Sequence, residues 1–200
     1  MTPGQHNTNY EALRQQCEKN SLISQNVLDD FLLSFAARHH GLGKKMNQHF
    51  AKYRHVTSRL EKADVAVFES QYIIHKVFRE EGLIKKFLRH PALDYFRGEE
   101  REFLSRGLEV PWRFSFAEIK GEPAEDFFLM EDVFSGKEYL LYSPGMTRLK
   151  ATGNILLWFN LTGFNGSCWQ SFGPVVYYLS FEDEDIFFFA SELNPDIGDF

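Results

Sequence analysis

Residues 126–143 read DFFLMEDVFSGKEYLLYS, in which two runs of aromatic and aliphatic residues flank the turn sequence FSGKE. Runs of this composition are typical of β-strands, and Gly136 can adopt the positive φ that a tight hairpin requires. Similar short runs recur from Pro111 to about residue 181, with GEPAE, SPG, ATG and NGS between them. This series of five or six short strands predicts a small barrel or a strongly bent sheet.

The first half of the chain has a different pattern, in which apolar residues recur at helical spacing. This pattern predicts a helix that starts after an N-cap at Asn9, a second over residues 24–41 and a later one over residues 57–82. Ser58 and Glu61 have the spacing of a capping box, which predicts where the last of these helices begins.

Together the two patterns predict an α+β protein with two domains. An N-terminal helical bundle spans residues 1–107, and an aromatic-rich module with a five- to six-stranded antiparallel, barrel-like sheet spans residues 112–200. The stretch EDEDIFFFASEL (182–193) predicts a C-terminal helix, because its four acids would occupy a first turn and its apolar residues continue at helical spacing. Phe187 and Phe188 fall on the flank of that helix.

The two domains differ in charge. Residues 1–107 contain 17 Lys and Arg against 13 Asp and Glu, a net charge of +4, whereas residues 108–200 contain 5 against 15, a net charge of −10. Residues 38–62 alone contain seven Lys and Arg and one Glu, a net charge of +6. A stretch this basic indicates an anionic partner, unless it faces solvent or docks on the acidic half of the same chain.

The basic stretch interleaves cations with aromatic residues and histidines, a combination that can hold a phosphate backbone and stack bases. One interpretation is therefore a nucleic-acid-associated protein, in which five side chains contact the nucleic acid: Lys44, Lys45, Lys52, Arg54 and Arg59. The acidic second half argues against it, because that half repels nucleic acid unless it lies on the far side of the molecule.

The interpretation that we place first is a non-enzymatic protein-interaction module. Three aromatic residues are its candidate partner-binding residues: Trp158, Phe187 and Phe188. In the predicted strand NILLWFNL (154–161), Trp158 faces away from its two apolar neighbours, so both faces of the strand are apolar. Such a strand is either covered by the helices or partly exposed for a partner.

Motifs that would indicate catalysis or metal binding are not found in the sequence. It contains no HExxH and no GxSxG, and GLGKK (41–45) lacks the spacing of a phosphate-binding loop. Cys168 has no basic neighbours in sequence that would lower the pKa of its thiol. We predict no catalytic residue, no metal site and no cofactor, and a third interpretation is an enzyme with a composite site between the two halves.

The order of strands and turns from Trp112 to about Leu193 resembles an all-β module of uncharacterised bacterial proteins, some of which also carry the SEC-C type of Cys/His zinc motif. The likeness rests on the hairpin pattern D-x-x-[ST]-G-x-E, here Asp132 to Glu138, and on the Gly-bounded strand that follows. It covers roughly 40% of the chain. The zinc motif itself is missing from this chain, and the resemblance implies a bacterial origin and a β module but no catalytic residue.

The sequence predicts a cytoplasmic protein without a membrane anchor. No apolar run approaches the roughly 20 residues that span a bilayer, and MTPGQHNTNYEALRQQ has neither the basic start nor the apolar core of a signal peptide. Two cysteines far apart fit a reducing compartment. The ending DIGDF fits a complete chain and also an N-terminal portion of a longer one, and the sequence leaves the oligomeric state open.

Overall fold

The computed structural model of this protein describes residues 9–59, 61–79, 82–150 and 155–180. The architecture is α+β, with helices preceding a closed barrel of five strands. The chain separates into two compact units: a helical unit of Met1–Trp112 with Phe164–Ser167, and a barrel unit of Arg113–Gly163 with Cys168–Phe200. The sequence contained no sign that the four residues from Phe164 to Ser167 belong with the helices.

The first helical segment is longer than the sequence pattern predicted. Helix α1 (Tyr10–Val27) continues through a π-helix (Leu28–Ala36) into α2 (Ala37–His39). The predicted N-cap is confirmed, because Oδ1 of Asn9 accepts a hydrogen bond from the Ala12 N–H at 3.1 Å.

The other helices of this unit are short to medium in length. They are α3 (Leu42–Lys52), α4 (Arg54–Thr57), α5 (Lys62–Phe78), α6 (Ile84–Phe87), a 3₁₀ helix (Pro91–Leu93) and α7 (Glu99–Glu109). The predicted capping box at Ser58 is wrong. The Ser58 N–H closes the last turn of α4 by donating to the Arg54 carbonyl at 3.0 Å, and α5 begins only at Lys62.

Aromatic rings fill the core of the helical unit. Phe31 is fully buried, and its ring meets that of Phe87 edge to face with centroids 5.1 Å apart. Phe78 stacks on Trp112 at a centroid distance of 4.4 Å. Gly107 makes this stack possible, because a Cβ at that position would lie 2.5 Å from Cδ1 of Phe78. A side chain at residue 107 would therefore displace the ring.

The barrel unit consists of five strands and one helix: β1 (Arg113–Ala124), β2 (Phe127–Asp132), β3 (Glu138–Tyr142), α8 (Pro144–Lys150), β4 (Leu157–Phe164) and β5 (Trp169–Tyr178). The strands close in the order β1-β2-β3-β5-β4. Strand β1 pairs with both β4 and β2, and its register with β2 shifts around Gly121. Such shifts bend a strand, which allows β1 to serve both sides of the barrel.

The sequence predicted a wholly antiparallel sheet, and the structure corrects this in one place. Strands β3 and β5 run parallel, with Leu141 opposite Trp169 and Tyr142 opposite Gln170. Parallel neighbours need a crossover connection, and here α8 and β4 provide it. This strand order, with a parallel β3–β5 pair and a helix between β3 and β4, is the connectivity of the OB-fold.

The β2–β3 hairpin is confirmed. Gly136 has φ +64°, and its N–H donates to the Asp132 carbonyl at 2.8 Å. The strands leaving the turn bring Phe128 opposite Leu141 and Met130 opposite Tyr139. These four side chains are buried in the barrel core, together with Ala117, Met146 and Trp158. The predicted C-terminal helix at 182–193 lies outside the described residues.

Candidate nucleic-acid interface

Helix α3 separates a buried face from a cationic one. Leu42 and Met46 are buried one turn apart. Lys45 and Lys52 are exposed and seven residues apart, which places them on a single face at the side of the buried stripe. The adjacent Lys44 points about 100° away from Lys45 around the helix axis. Lys45 and Lys52 therefore share one face of α3, and Lys44 does not lie on it.

Helix α5 contributes an aromatic ring and a third cation near this face of α3. The Tyr72 ring lies 5.1 Å from the His49 ring and 6.2 Å from the Phe50 ring of α3, measured between centroids. Lys76, one turn after Tyr72, places its Nζ 5.2 Å from the Tyr72 centroid, within the range of a cation–π contact. Contacts between α3 and α5 thus bring Tyr72 and Lys76 beside the lysines of α3.

The pKa of Lys76 indicates that Lys45 and Arg79 lie near it. Burial lowers the pKa of the Lys76 ammonium, and the charges of Arg79 and Lys45 lower it further. A charge on α3 can act on Lys76 only if the two side chains are close enough for the Coulomb interaction to survive solvent screening. The charges of Arg79 and Lys45 therefore both act at Lys76.

An aromatic side chain projects from the same surface. Tyr53, which follows α3, is 48% exposed, and its ring centroid lies 5.1 Å from that of His49. A large exposed ring beside cations is the arrangement that stacks on a nucleobase. We call the group of Lys45, Lys52, Tyr53, Tyr72 and Lys76 the basic surface.

The five cations predicted from sequence are all exposed: Lys44, Lys45, Lys52, Arg54 and Arg59. Among the described residues none of them forms an ion pair. The structure brings Lys45 and Lys52 onto the basic surface. Arg54 opens α4, and Arg59 lies in the turn after it.

Two members of the basic surface were missed by the sequence analysis. Tyr72 and Lys76 are far from the basic stretch in sequence, inside a helix whose pattern indicated only core packing. Their spacing of four residues places them one above the other on α5, and this spacing is the one local signal that could have pointed to them.

None of the three predicted partner-binding residues is found on a described surface. Trp158 is 1% exposed and belongs to the barrel core, so its indole packs inside the barrel and is not a surface for a partner. A strand with two apolar faces is explained here by burial, one of the two possibilities that the pattern allowed. Phe187 and Phe188 lie outside the described residues.

A buried polar network holds the β2–β3 turn. The Ser115 hydroxyl donates to Oδ2 of Asp132 at 2.9 Å and lies 2.8 Å from the Tyr139 hydroxyl, which can donate to it in turn. Ser135 donates to Oδ1 of Asp132 through its N–H at 2.9 Å and its hydroxyl at 2.8 Å. The acceptor beside Ser115 is the Asp132 carboxylate, which is a weak base because its pKa is lowered, and the network clamps the hairpin to β1.

This network keeps Asp132 ionised. Burial by itself would raise the pKa of the Asp132 carboxyl, but the hydrogen bonds from Ser135 and Ser115 and the charge of Arg113 outweigh it. The pKa is therefore held below its ordinary value of 3.8. Arg113 in turn lies over the Trp169 ring, with its Cζ 4.5 Å from the centroid.

Other kinds of site are weakly represented in the described part of the chain. It contains no group of three or more His, Cys, Asp or Glu side chains arranged to hold a metal ion. Cys17 and Cys168 are buried, and neither forms a disulfide. None of the described helices combines the length and the apolarity needed to cross a bilayer.

Comparison with known proteins identifies no relative. No protein-family model, no curated protein and no solved structure gives a significant match to the chain. The resemblance of residues 112–193 to the bacterial module therefore stays a prediction. The likeness to the OB-fold is one of strand order and connectivity.

Proposed function

We propose that the protein is a non-enzymatic, cytoplasmic binding protein that holds single-stranded nucleic acid on the basic surface. One observation carries the proposal: Lys45 and Lys76, from two helices, lie close enough for their charges to interact. The His49 ring connects this pair to an exposed aromatic residue, because it contacts both Tyr72, over which Lys76 lies, and Tyr53. Within the described residues neither lysine has an ion-pair partner. Cations held close together attract a polyanion, because release of its counterions favours binding.

The ring and its surroundings favour a single strand over a duplex. In a duplex the bases are stacked on each other and cannot lie on a side chain from outside. In a single strand a base can stack on Tyr53 while neighbouring phosphates contact Lys45 and Lys52. The two cysteines, which do not form a disulfide, support the reducing, cytoplasmic location included in the proposal.

The barrel contributes an analogy only. Barrels with OB connectivity often bind oligonucleotides or oligosaccharides, but a shared fold does not transfer a function. The proposal therefore rests on the helical unit.

The test is fluorescence anisotropy with labelled single-stranded and duplex oligonucleotides at about 50 and 200 mM salt. Three phosphate contacts predict that affinity for the single strand falls about 20-fold between these salt concentrations. The single strand is expected to bind more tightly than the duplex. Absence of binding at the lower salt concentration would overturn the proposal.

Charge-matched variants sharpen this test. Lys45→Gln is expected to lower the slope of log affinity against log salt by about 0.7. Lys120→Gln is the control, because it removes the same charge from the barrel, where Lys120 pairs with Glu118 and Glu131. Equal losses in the two variants would show that net charge alone is responsible and that the basic surface is not the site.

A protein-interaction module is the second candidate, favoured by two exposed leucines in the barrel unit. Leu156 and Leu179 are 50% and 52% exposed. They flank one end of the β4–β5 pair, where the Leu156 N–H donates to the Tyr178 carbonyl at 2.8 Å. Two large apolar side chains at neighbouring strand ends are a common feature of a partner-binding patch.

This candidate is tested by comparing partner capture by a Leu156→Ala, Leu179→Ala double variant with capture by Leu22→Ala. Leu22 is 66% exposed but lies in the helical unit, on α1. A partner that the double variant loses and Leu22→Ala keeps would support the module, and equal capture by all three proteins would contradict it. The enzyme with a composite site between the halves stays a prediction.

A further inference from the structure

Three histidines meet where α2 ends, although they are distant in sequence. The His39 ring lies 4.4 Å from the His90 ring and 5.1 Å from the His40 ring, between centroids. Two phenylalanines support them, since His39 stacks on Phe35 at 4.9 Å and His40 meets Phe87 at 5.0 Å. We call His39, His40 and His90 the imidazole cluster.

The charges around this cluster come from four parts of the helical unit. Burial lowers the pKa of His40, and so do the charges of four neighbours: His39 of α2, Lys86 of α6, Lys45 of α3 and His90 before the 3₁₀ helix. Every described group that acts on His40 through its charge is basic. The same Lys45 belongs to the basic surface, so the two regions are continuous.

Helix capping accounts for part of this arrangement. The partial negative charge at the carboxyl end of the long first helix favours cations at His39 and His40. It does not explain why Lys45 and Lys86, from two other helices, are held beside them. Like charges brought together repel one another, and a bound anion removes that cost.

The cluster is also open and has hydrogen-bond donors. His39, Lys45 and Lys86 are exposed, and His40 and His90 are half-buried. Nδ1 of His90 accepts the Ala92 N–H at 3.1 Å, so in the neutral ring Nε2 carries the proton and is free to donate. The site thus offers both charge and a directed N–H group to an oxyanion.

We propose that the imidazole cluster, together with Lys45 and Lys86, is a phosphate-binding site that takes up a proton at His40 when phosphate binds. This inference rests on the proposed function, because the phosphate source that it favours is the backbone of a single strand crossing the basic surface. Proton uptake follows from linkage: an anion beside His40 stabilises the charged imidazole, so binding and protonation reinforce each other.

The first test measures affinity for labelled oligothymidine by anisotropy at about pH 5.5 and pH 8, at constant salt. One linked proton predicts binding that is about five- to tenfold tighter at the lower pH. His40→Gln should reduce this ratio to below about twofold, whereas His55→Gln, which changes an exposed histidine outside the cluster, should leave it intact.

Neighbouring lysines on α6 provide a second matched pair. The charge of Lys86 acts on His40, and the adjacent Lys85 points about 100° away from Lys86 around the helix axis. Lys86→Gln should weaken binding severalfold at both pH values, and Lys85→Gln should have a smaller effect. Equal effects of the two substitutions would contradict the site.

The outcomes separate this inference from the proposed function. Tight binding with the same affinity at both pH values overturns the inference and leaves the nucleic-acid proposal intact. If no nucleic acid binds, the proposed function fails, and NMR titration of the His40 imidazole in sulfate and in chloride of equal ionic strength decides the inference. A higher pKa of His40 in sulfate would retain a site for free phosphate, and an unchanged pKa would overturn it.

Discussion

The two units of this protein differ in how some of their cations are placed. In the barrel unit, Lys120 pairs with Glu118 and Glu131, Lys150 pairs with Glu122, and Arg113 lies over the Trp169 ring. In the helical unit, two cations also pair with acids, Lys19 with Glu99 and Arg106 with Glu102. Three others lie near basic groups instead: Lys45, Lys76 and Lys86. The difference shows that net charge alone does not locate a binding surface. What matters is whether the fold places an acid within reach of each cation.

Aromatic rings fill the cores of both units, and the helical unit also exposes some of its own. Inside the barrel, rings such as those of Trp158 and Phe128 are buried in the core. In the helical unit, Phe31 and Phe78 are likewise buried in the core, whereas Tyr53 is 48% exposed. Buried aromatic rings therefore stabilise both units, whereas the proposed function assigns recognition to the exposed Tyr53, and substitutions at Trp158 and Tyr53 should separate the two roles.

The largest effect is expected for Trp158→Ala. Removing a buried Trp leaves a cavity that should lower the free energy of unfolding of the barrel by about 3–5 kcal/mol. Thermal unfolding, followed through the indole N–H signals in NMR spectra, measures it. A loss below about 1 kcal/mol would contradict the core role assigned to Trp158.

The next effect belongs to the helical core. In Gly107→Ala the new methyl group would clash with the Phe78 ring, 2.5 Å away, and should lower the free energy of unfolding by about 1–3 kcal/mol. Gly43→Ala is the matched control, because its Cβ would approach nothing closer than the Ala37 carbonyl oxygen at 3.8 Å. That variant should be unchanged or more stable by about 0.5 kcal/mol.

Acid should weaken the helical unit first. Burial, with the charges of Lys76 and Arg79, lowers the pKa of His75 from 6.5 to about 4. Between these values the unfolded chain binds a proton that the folded state excludes, so stability is complete above about pH 7 and falls as the pH drops towards 4. After allowance for a partly exposed ring, the loss is about 1–2 kcal/mol.

The Trp112 indole signal, which reports on the helical unit, should therefore melt at a lower temperature at pH 5 than at pH 7. His75→Gln should flatten that dependence. An equally steep dependence in this variant would assign the acid sensitivity to other groups.

The barrel should resist acid further. The pKa of Asp132 is held below 3.8, so its contribution to stability is present at higher pH and is lost only as the pH falls through that lower value. Asp132→Asn should destabilise the barrel by about 1 kcal/mol at pH 7 and should lose less stability than the wild type when the pH falls below 4. The Trp158 and Trp169 signals give the measurement.

The smallest change in stability is expected for Tyr53→Ala, because the ring is half exposed. Its free energy of unfolding should change by no more than about 0.5 kcal/mol. Affinity for a single strand should nevertheless fall fivefold or more, which corresponds to about 1 kcal/mol of stacking. Tyr95→Ala, at a tyrosine that is 57% exposed but outside the basic surface, is the control and should bind normally.

Local signals in the sequence were enough for the fold class and several element boundaries. The Asn9 cap and the Gly136 turn depend on neighbours within a few residues, so their chemistry is visible in the chain itself. The capping box at Ser58 failed because a short helix before it used the same backbone groups. The parallel β3–β5 pair was not visible because pairing between distant strands leaves no local signature.

For the candidate site, too, some features were determined by the sequence and others only by the tertiary structure. By itself, the sequence determined that residues 38–62 are basic and that residues 108–200 are acidic and rich in aromatics, because charge and composition are properties of the chain. Only the tertiary structure decided that Trp158 is buried, that Lys76 joins Lys45, and that His90 meets His39. These outcomes depend on which helix faces pack together, and that choice is made by the whole core at once.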